Sequence, residues 1–399
     1  MRGLVILGLV ACASPTSSSR QSISQETRHD HMALIRDTAA SMGLDNGPLL
    51  AGIAVGETQL SHCWSEATWA CQGPASPSCN GGPVIAGAAD GPCADMQGGL
   101  GMFQFDAGTY ADTVRTYGDS ILTVEGNTQQ AVVFVAGKVE QDIAGAGDWR
   151  SAMAWMSSVP LVAGDPTMDQ WAKLLACRYN GCCTTSATFT ARANGYRDNA
   201  IAVWTEMGAA FWNPRTRCPA QTGDAVIEDR STCYVAGGDP AIWHHEAGGS
   251  GGTLDWAATT ADATPTAYAE WLVQAAGHIA VQVHLDGTFG TSHHATYEIH
   301  HGGAVDTVVV DQTSATGFVS LGEFDFTGDG REYVLLGNNT GEAGAQVSFD
   351  AVELVLPDGV GAPGHGGCAA AGGAVGGGVL IALALVMRRR QTIARRSVA

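Results

Sequence analysis

Residues 48–61 read PLLAGIAVGETQLS, and the reading of this stretch decides the fold of the first half of the chain. Leu50, Ile53, Ala54, Glu57 and Leu60 recur at i, i+3, i+4, i+7 and i+10, which puts them on one face of an α-helix. Glu57 therefore sits on a core-facing stripe, and no Lys or Arg stands near it in the sequence. Desolvation at such a position raises a carboxyl pKa and keeps the group protonated near neutral pH, as a general acid requires. A glutamate at the rim of a helix face is more often merely solvated. Its neighbours in the fold have to decide between the two.

Working outward, residues 30–212 keep the helical grammar. Leu49-Leu50-Ile53-Ala54, Val132-Val135-Val139, Met168-Trp171-Leu175 and Tyr196-Ala200-Val203-Met207 all follow three/four spacing. A Pro/Gly/Cys-rich insertion between Cys63 and Cys93 reads as a loop stapled by cysteines. Residues 213–250, with Pro214, Pro219, Pro240 and a Gly-rich run at 248–252, read as a linker in which Cys218 and Cys233 close a small loop. From Trp256 the period changes. Ile279–Leu285, Thr296–His300, Val305–Val310, Phe318–Phe326, Tyr333–Leu336 and Val347–Leu354 are short β-rich runs punctuated by Gly, Asn and Asp. Short strands separated by turn signals predict an antiparallel sandwich.

Two further segments bear on Glu57. After the insertion comes Gly98-Gly99-Leu100-Gly101-Met102-Phe103-Gln104, and much later Ala176-Cys177-Arg178-Tyr179-Asn180-Gly181. The first offers close backbone approach at its glycines and a Gln amide; the second offers a Tyr hydroxyl and an Asn amide. A helix Glu, a G-x-G-[LM]-[MF]-Q turn and a Y-N-G turn, in that order, resemble the soluble lytic transglycosylase and goose-type lysozyme family over about residues 30–210. The resemblance implies a lysozyme-like, mainly α domain that cleaves the MurNAc–GlcNAc β-1,4 bond of peptidoglycan. It makes Glu57 the catalytic acid, Gly101, Met102, Phe103 and Gln104 a groove-lining turn, and Tyr179 and Asn180 the residues that orient sugar and acid. In transglycosylases of this kind one Glu serves as acid and then base, while the substrate's C6 hydroxyl closes a 1,6-anhydro ring. Hydrolysis instead needs a carboxylate to activate water.

The sequence departs from the family pattern in three places. The Glu57-to-Gly101 spacing is stretched by the four-Cys insertion, Asp95 stands where the family has Ser, and Ala107, beside Asp106, stands where it has Pro. Asp95 or Asp106 is thus a candidate water-activating base, which leaves three readings: transglycosylase, hydrolytic lysozyme, or an inactive wall-binding protein.

In the second half, Val309-Val310-Asp311-Gln312, Gly317-Phe318-Val319-Ser320-Leu321-Gly322, Phe324-Asp325-Phe326 and Asp350-Ala351-Val352 stand in order. Together they resemble the golvesin/Xly-type C-terminal domain, a carbohydrate-binding-module-like sandwich, over about residues 243–356. The resemblance implies adhesion to polysaccharide or wall, with Trp243, Trp256, Trp271 and Tyr297 as aromatics for stacking or for the core. Three His pairs (His244-His245, His293-His294, His300-His301) read as solvated loop histidines, because catalytic zinc needs converging ligands and no H-E-x-x-H occurs. Asp325-Phe-Thr-Gly-Asp-Gly lacks the full calcium-loop pattern and reads as a turn between strands. No metal or other cofactor is expected.

The chain has 20 Lys+Arg against 39 Asp+Glu, a net charge of -19. All seven basic residues of 1–20 and 366–399 stand in segments without acids, so the stretch between carries a net of -26. Such a body repels polyphosphate, which excludes nucleic acid as a partner. The basic ends read as addresses. Met1-Arg2, the apolar run from Leu4 and Leu9-Val10-Ala11-Cys12 have the grammar of an export signal, with Cys12 in a lipobox-like context. Gly366-Gly367-Cys368, the uncharged run from Ala369 to Met387 and the Arg cluster beyond resemble a myxobacterial C-terminal sorting signal, with a span just long enough for a bilayer. Membrane contact through this span or a lipid on Cys12 is therefore expected, and export favours disulfides among the remaining nine cysteines. The expected organisation is an α+β multidomain chain: signal and Ser-rich spacer 1–20, lysozyme-like domain 28–212, linker 213–242, sandwich 243–357 and sorting tail 358–399.

Overall fold

A computed structural model describes residues 23–65, 99–107, 110–181, 183 and 187–356. The terminal segments with Cys12 and Cys368, and most of the insertion with Asp95, lie outside the described residues. Among the described residues no helix is long and apolar enough to cross a membrane, and the expected span at 369–387 is not one of those residues.

The first half is helical. Helix α1 (Gln25–Ser41) starts at Ser24, whose hydroxyl accepts from the Thr27 N–H, an N-cap that satisfies a donor with no partner inside the helix. Helix α2 (Gly47–Thr58) has Pro48 in its first turn, and ten of its twelve residues are buried. It is thus the central helix, apolar on nearly every side, and not the one-faced helix that the spacing predicts. A two-stranded ribbon of β1 (Trp64–Ser65) and β2 (Gly99–Leu100) flanks it. Then come α3 (Tyr110–Tyr117), α4 (Val124–Asp142), α5 (Trp149–Ser158), α6 (Pro166–Arg178) and α7 (Ala187–Trp212). Asp148 and Asp165 cap α5 and α6, and Gly208 (φ 77) breaks the last turn of α7. Met32, Ile35, Leu50, Ile53, Val135, Trp171 and Val203 are all within 1% of full burial and join these helices in one core. Each such side chain contributes about 1.5–3 kcal/mol by leaving water.

The second half contains antiparallel sheets in a sandwich-like arrangement. One sheet has the order β10 (Ala304–Val310), β9 (Ala295–His301), β12 (Glu332–Gly337), β7 (Ala267–Val273), β4 (Tyr234–Gly238). A second has β11 (Gly317–Thr327), β8 (Ala276–Leu285), β14 (Val352–Val355), β3 (Ala225–Ile227), and a third has β13 (Gln346–Phe349), β6 (Gly252–Ala258), β5 (His244–Gly248). All the pairings are antiparallel, with a bulge between Ser320 and Gly322 where β11 meets β8. The segment expected to be a linker, 213–242, instead supplies β3 and β4 to two of these sheets, and Cys218 is bonded to Cys233 just ahead of β4. Its prolines lie outside the strands, so they do not interrupt the ladders.

Strands β8 and β7 differ in a way that locates the join between the halves. In β8, Ile279, Val281, Val283 and Leu285 point into the sandwich core while alternate residues face outward. In β7 both faces are covered. Ala269, Trp271 and Val273 face the sandwich core, and Tyr268 belongs to the helical core. Strand β12 repeats this, with Val334 and Leu336 on one side and Leu335 on the other.

Candidate active site

Glu57 sits in the last turn of α2, and the helix stops abruptly after it. Gln59 (φ 57) and Leu60 (φ 68) are both left-handed, a conformation that is uncommon for side-chain-bearing residues and concentrates at functional sites. Their N–H groups return to the carbonyls of Val55 and Ala54 at 3.1 Å each, closing the helix end. The Glu57 Oε1 accepts a hydrogen bond from the Tyr196 hydroxyl of α7 at 2.9 Å and a longer one from Asn180 Nδ2 at 3.5 Å. Asn180 also donates to the Tyr196 hydroxyl. Burial pushes the Glu57 carboxyl above its ordinary value; the Tyr196 bond and the Arg192 charge pull it back without cancelling that effect.

The Gly101–Gln104 turn is fastened to the same helix end. Thr58 Oγ1 donates to Met102 O at 3.2 Å, and the Gly101 N–H donates to Cys63 O at 2.9 Å. Asn127, in the first turn of α4, clamps the turn from behind. It accepts from the Phe103 N–H at 3.0 Å and donates to Leu100 O and Ile121 O at 3.1 Å each. A Cβ on Gly101 (φ 75) would stand 2.3 Å from the Asn127 amide, so the clamp needs glycine there. Gln104 (φ 52) closes the turn by donating to Gly101 O at 2.8 Å. Met102 and Phe103 are 0% and 1% exposed, so their side chains anchor the turn from inside and do not line a groove as expected. Backbone and the partly exposed Gln104 are what the turn presents.

Tyr179 joins the two motifs, since its hydroxyl donates to Phe103 O. Its ring packs edge-on between Phe134 at 5.5 Å and Tyr196 at 6.3 Å. The Cys177–Cys183 disulfide brackets Tyr179, Asn180 and Gly181, holding the turn that carries both side chains. Glu57, the 101–104 turn, Tyr179 and Asn180 therefore form one connected constellation. Asp106 is exposed at the far end of the turn; its charge, after burial, is a cause of the raised Tyr117 hydroxyl pKa, and it is not among the causes acting on Glu57. Sequence reasoning missed Tyr196, Arg192 and Asn127. Tyr196 was visible only as the head of an apolar helical run, where a hydroxyl-bearing ring gives no sign of its partner.

Comparison with known proteins bears on the second half. Residues 229–356 match the Golvesin C-terminal domain. That span starts fourteen residues earlier than the expected 243 and takes in β4. Among solved structures, a Paenibacillus xanthan lyase is similar at 17% sequence identity with a TM-score of 0.30, over 35% of this chain and 14% of the lyase. The chain thus spans a small fraction of that relative. No curated protein matches.

The histidines of this half sit differently from the sequence reading. His244-His245 and His300-His301 lie on strands β5 and β9, not in loops, whereas His293-His294 is in a loop. Seven of the eight histidines of 243–356 lie against carboxylates, from His245–Asp255 at 2.5 Å to His294–Glu342 at 3.3 Å. His244 stacks on Trp256 at 3.9 Å. Each imidazole is thus engaged locally, and they do not converge on one point. Among the described residues, Glu228, Asp229 and Asp350 form the one group whose ligand-type atoms lie within 4.8 Å of one another. Asp229 accepts from Thr253, and Asp350 from the Ser250 N–H and His284. Burial lifts Asp350 to about 6. The group reads as a buried hydrogen-bonded network that ties β3, β6 and the approach to β14 together.

Proposed function

We propose that the helical half cleaves the glycan strands of peptidoglycan, with Glu57 as the catalytic acid and then base. The observation that carries this reading is a desolvated carboxyl, held by Tyr196 and Asn180, beside a backbone turn fixed to the same helix end. Burial keeps Glu57 protonated to a higher pH than an ordinary glutamate, so it can donate to a leaving glycosidic oxygen. Once ionised, it retains the Tyr196 hydrogen bond and the Arg192 charge as stabilising partners, and can withdraw a proton from the attacking hydroxyl. Tyr179 and Asn180 keep the acid and the turn in register, and the turn's backbone groups and Gln104 hold the sugar.

The neutral hydroxyl and amide on Glu57 favour a one-carboxylate route, with 1,6-anhydro-MurNAc ends as product. Digestion of purified sacculi, with mass spectrometry of the released ends, tests this. Anhydro ends are expected, reducing ends would reassign the protein as a hydrolase, and no cleavage would leave a wall-binding protein. Glu57→Gln should abolish cleavage; full activity in that variant removes Glu57 from the mechanism.

For the second half we propose polysaccharide or wall binding, supported by its match to the Golvesin C-terminal domain. Holding the enzyme on its polymer raises the effective substrate concentration without any new contact at Glu57. We further read the chain as exported to the envelope. The Cys177–Cys183 and Cys218–Cys233 disulfides support this reading.

A further inference from the structure

Among the described residues, no hydrogen bond or ion pair engages the side chain of Arg192 on α7, although its Nε is shut off from solvent. Other arginines of the helical half find carboxylates. Arg28 bonds Glu206 at 2.9 Å, Arg178 bonds Asp142 at 2.7 Å and Arg197 bonds Asp198 at 2.9 Å. With 39 Asp+Glu against 20 Lys+Arg such partners are plentiful, so a partly buried guanidinium without one calls for a physical reason. Its place follows from the packing of α2 on α7. A Cβ on Gly52 would meet Ala200, and one on Gly56 would lie 3.5 Å from the Tyr196 ring. The two helices therefore run antiparallel, one turn of each against one turn of the other. One turn further on, Arg192 stands past the end of α2 at Thr58. It shares a face of α7 with Tyr196, four residues along, and Tyr196 makes the 2.9 Å bond to Glu57. Burial is the largest influence on both of those groups, and the Arg192 charge opposes it at each. Five donors thus stand without a protein partner at the helix end to which the 101–104 turn is fastened.

We propose that Arg192 binds the free lactyl carboxylate of a MurNAc ring held at Glu57, and so selects glycan strands that have lost their stem peptides. The inference rests on the Glu57 reading above. Of the two sugars in the strand only MurNAc carries an acid, on the lactyl ether at C3, and a stem peptide converts that acid to a neutral amide. A guanidinium fork matches a carboxylate in two parallel hydrogen bonds; an amide offers it one oxygen without a full charge. The lactyl group is the substrate carboxylate closest to the scissile bond, and those of a stem peptide lie further along the side chain. Glu57 itself does not take the fork, because Tyr196 and Asn180 hold its carboxyl. A cation at the C-terminal end of α2 also offsets the negative end of that helix. That role involves no substrate and leaves selectivity untouched, so selectivity is what the test reads.

Three soluble substrates of matched length are compared: strands freed of peptide by an amidase, the same strands with the lactyl acid converted to a methylamide, and peptide-bearing strands. Wild type should cleave the free-acid strands with a kcat/KM about tenfold above the methylamide, as one charge-assisted pair provides, and above the peptide-bearing strands. Arg192→Gln should lose that ratio, whatever its absolute rate becomes as the Glu57 pKa moves. Arg192→Lys keeps the charge without the fork and should keep only part of it. Calorimetric binding of free-acid and methylamide strands to the Glu57→Gln protein, with and without Arg192→Gln, reads the same selectivity without turnover. A ratio near one in wild type, an unchanged ratio in a folded Arg192→Gln protein, or an Arg192-dependent preference for peptide-bearing strands each overturns the proposal. An Arg192-dependent binding ratio with no cleavage of any strand supports it and overturns the Glu57 reading alone.

Discussion

Gly52 is where α2 and α7 come closest, and a single methyl group there tests whether packing sets the geometry at Glu57. A Cβ at Gly52 would lie 2.7 Å from Ala200 N, 2.8 Å from Ala200 Cα and 2.9 Å from Ala200 Cβ. These atoms are backbone or the first side-chain carbon, so no rotamer change relieves the clash. Ordinary contact begins at 3.4 Å, so the helices must part locally by about 0.7 Å. Overpacking of this kind costs about 1–3 kcal/mol, a fall in Tm of about 2–12 °C for a domain of this size. Glu57 lies on one of these helices and Tyr196 on the other, so the same movement stretches their 2.9 Å bond. Misplacement of about 1 Å costs up to about 100-fold in rate, and for Gly52→Ala we expect about a tenfold loss in kcat. Gly137→Ala is the control. It lies mid-way along α4 with nothing within 4 Å of its Cβ position, and should gain about 0.5–1 kcal/mol with activity unchanged. Thermal melts and muropeptide release from sacculi read both. A Gly52→Ala protein that melts no lower than wild type and cleaves at the full rate would refute the reasoning.

Tyr196→Phe removes the donor that pulls the Glu57 carboxyl down, so the alkaline limb of the kcat–pH profile should move to higher pH; an unmoved limb means Tyr196 does not tune the acid. Glu57→Gln should alter stability as well as activity. A carboxyl with a raised folded pKa contributes stability in full below the ordinary carboxylate range and loses it as pH rises through the folded value. The Tm of Glu57→Gln should therefore gain on wild type as pH rises above the ordinary carboxylate range, and a constant difference in calorimetry would contradict the desolvation of Glu57. Replacing Cys177 and Cys183 together by Ser frees the Tyr179–Asn180 turn. Loss of about 2 kcal/mol in stability is expected from loop entropy, with a larger proportional fall in kcat/KM; unchanged kcat/KM would show that the bridge does not position the turn.

The parts of this protein legible in the sequence are those whose chemistry is local. Glu57 on an apolar stripe, Gly101 in a tight turn and the Tyr179-Asn180-Gly181 turn each show in a few adjacent residues, and the structure brings them together. Asn127 and Tyr196 act across 24 and 139 residues of chain, and nothing in their own neighbourhoods marks them. Strands β3 to β5 were hidden by the Pro and Gly residues between them, which carry turn signals even when short ladders intervene. Strands β7 and β12 do not alternate cleanly because they are buried from two sides, and a period-2 pattern requires one wet face. Their missing alternation was itself the sign of an interface between the halves.

The influences on Glu57 explain why its partners are a hydroxyl and an amide with only a more distant positive charge. On the proposed one-carboxylate route Glu57 first gives a proton and then takes one, which calls for a pKa near the working pH. Burial alone would hold the carboxyl protonated to higher pH, making it a better donor and a less available base. A close Arg in bidentate contact would leave it permanently ionised. Tyr196 supplies an intermediate pull, because a neutral O–H stabilises the carboxylate through one hydrogen bond while accepting from Asn180 itself. That pull depends on the spacing of α2 and α7, and Gly52 allows the two helices to approach closely enough for it. On the proposed route, the glycine between the helices is thus as much a part of the acid–base chemistry as the tyrosine that makes the bond.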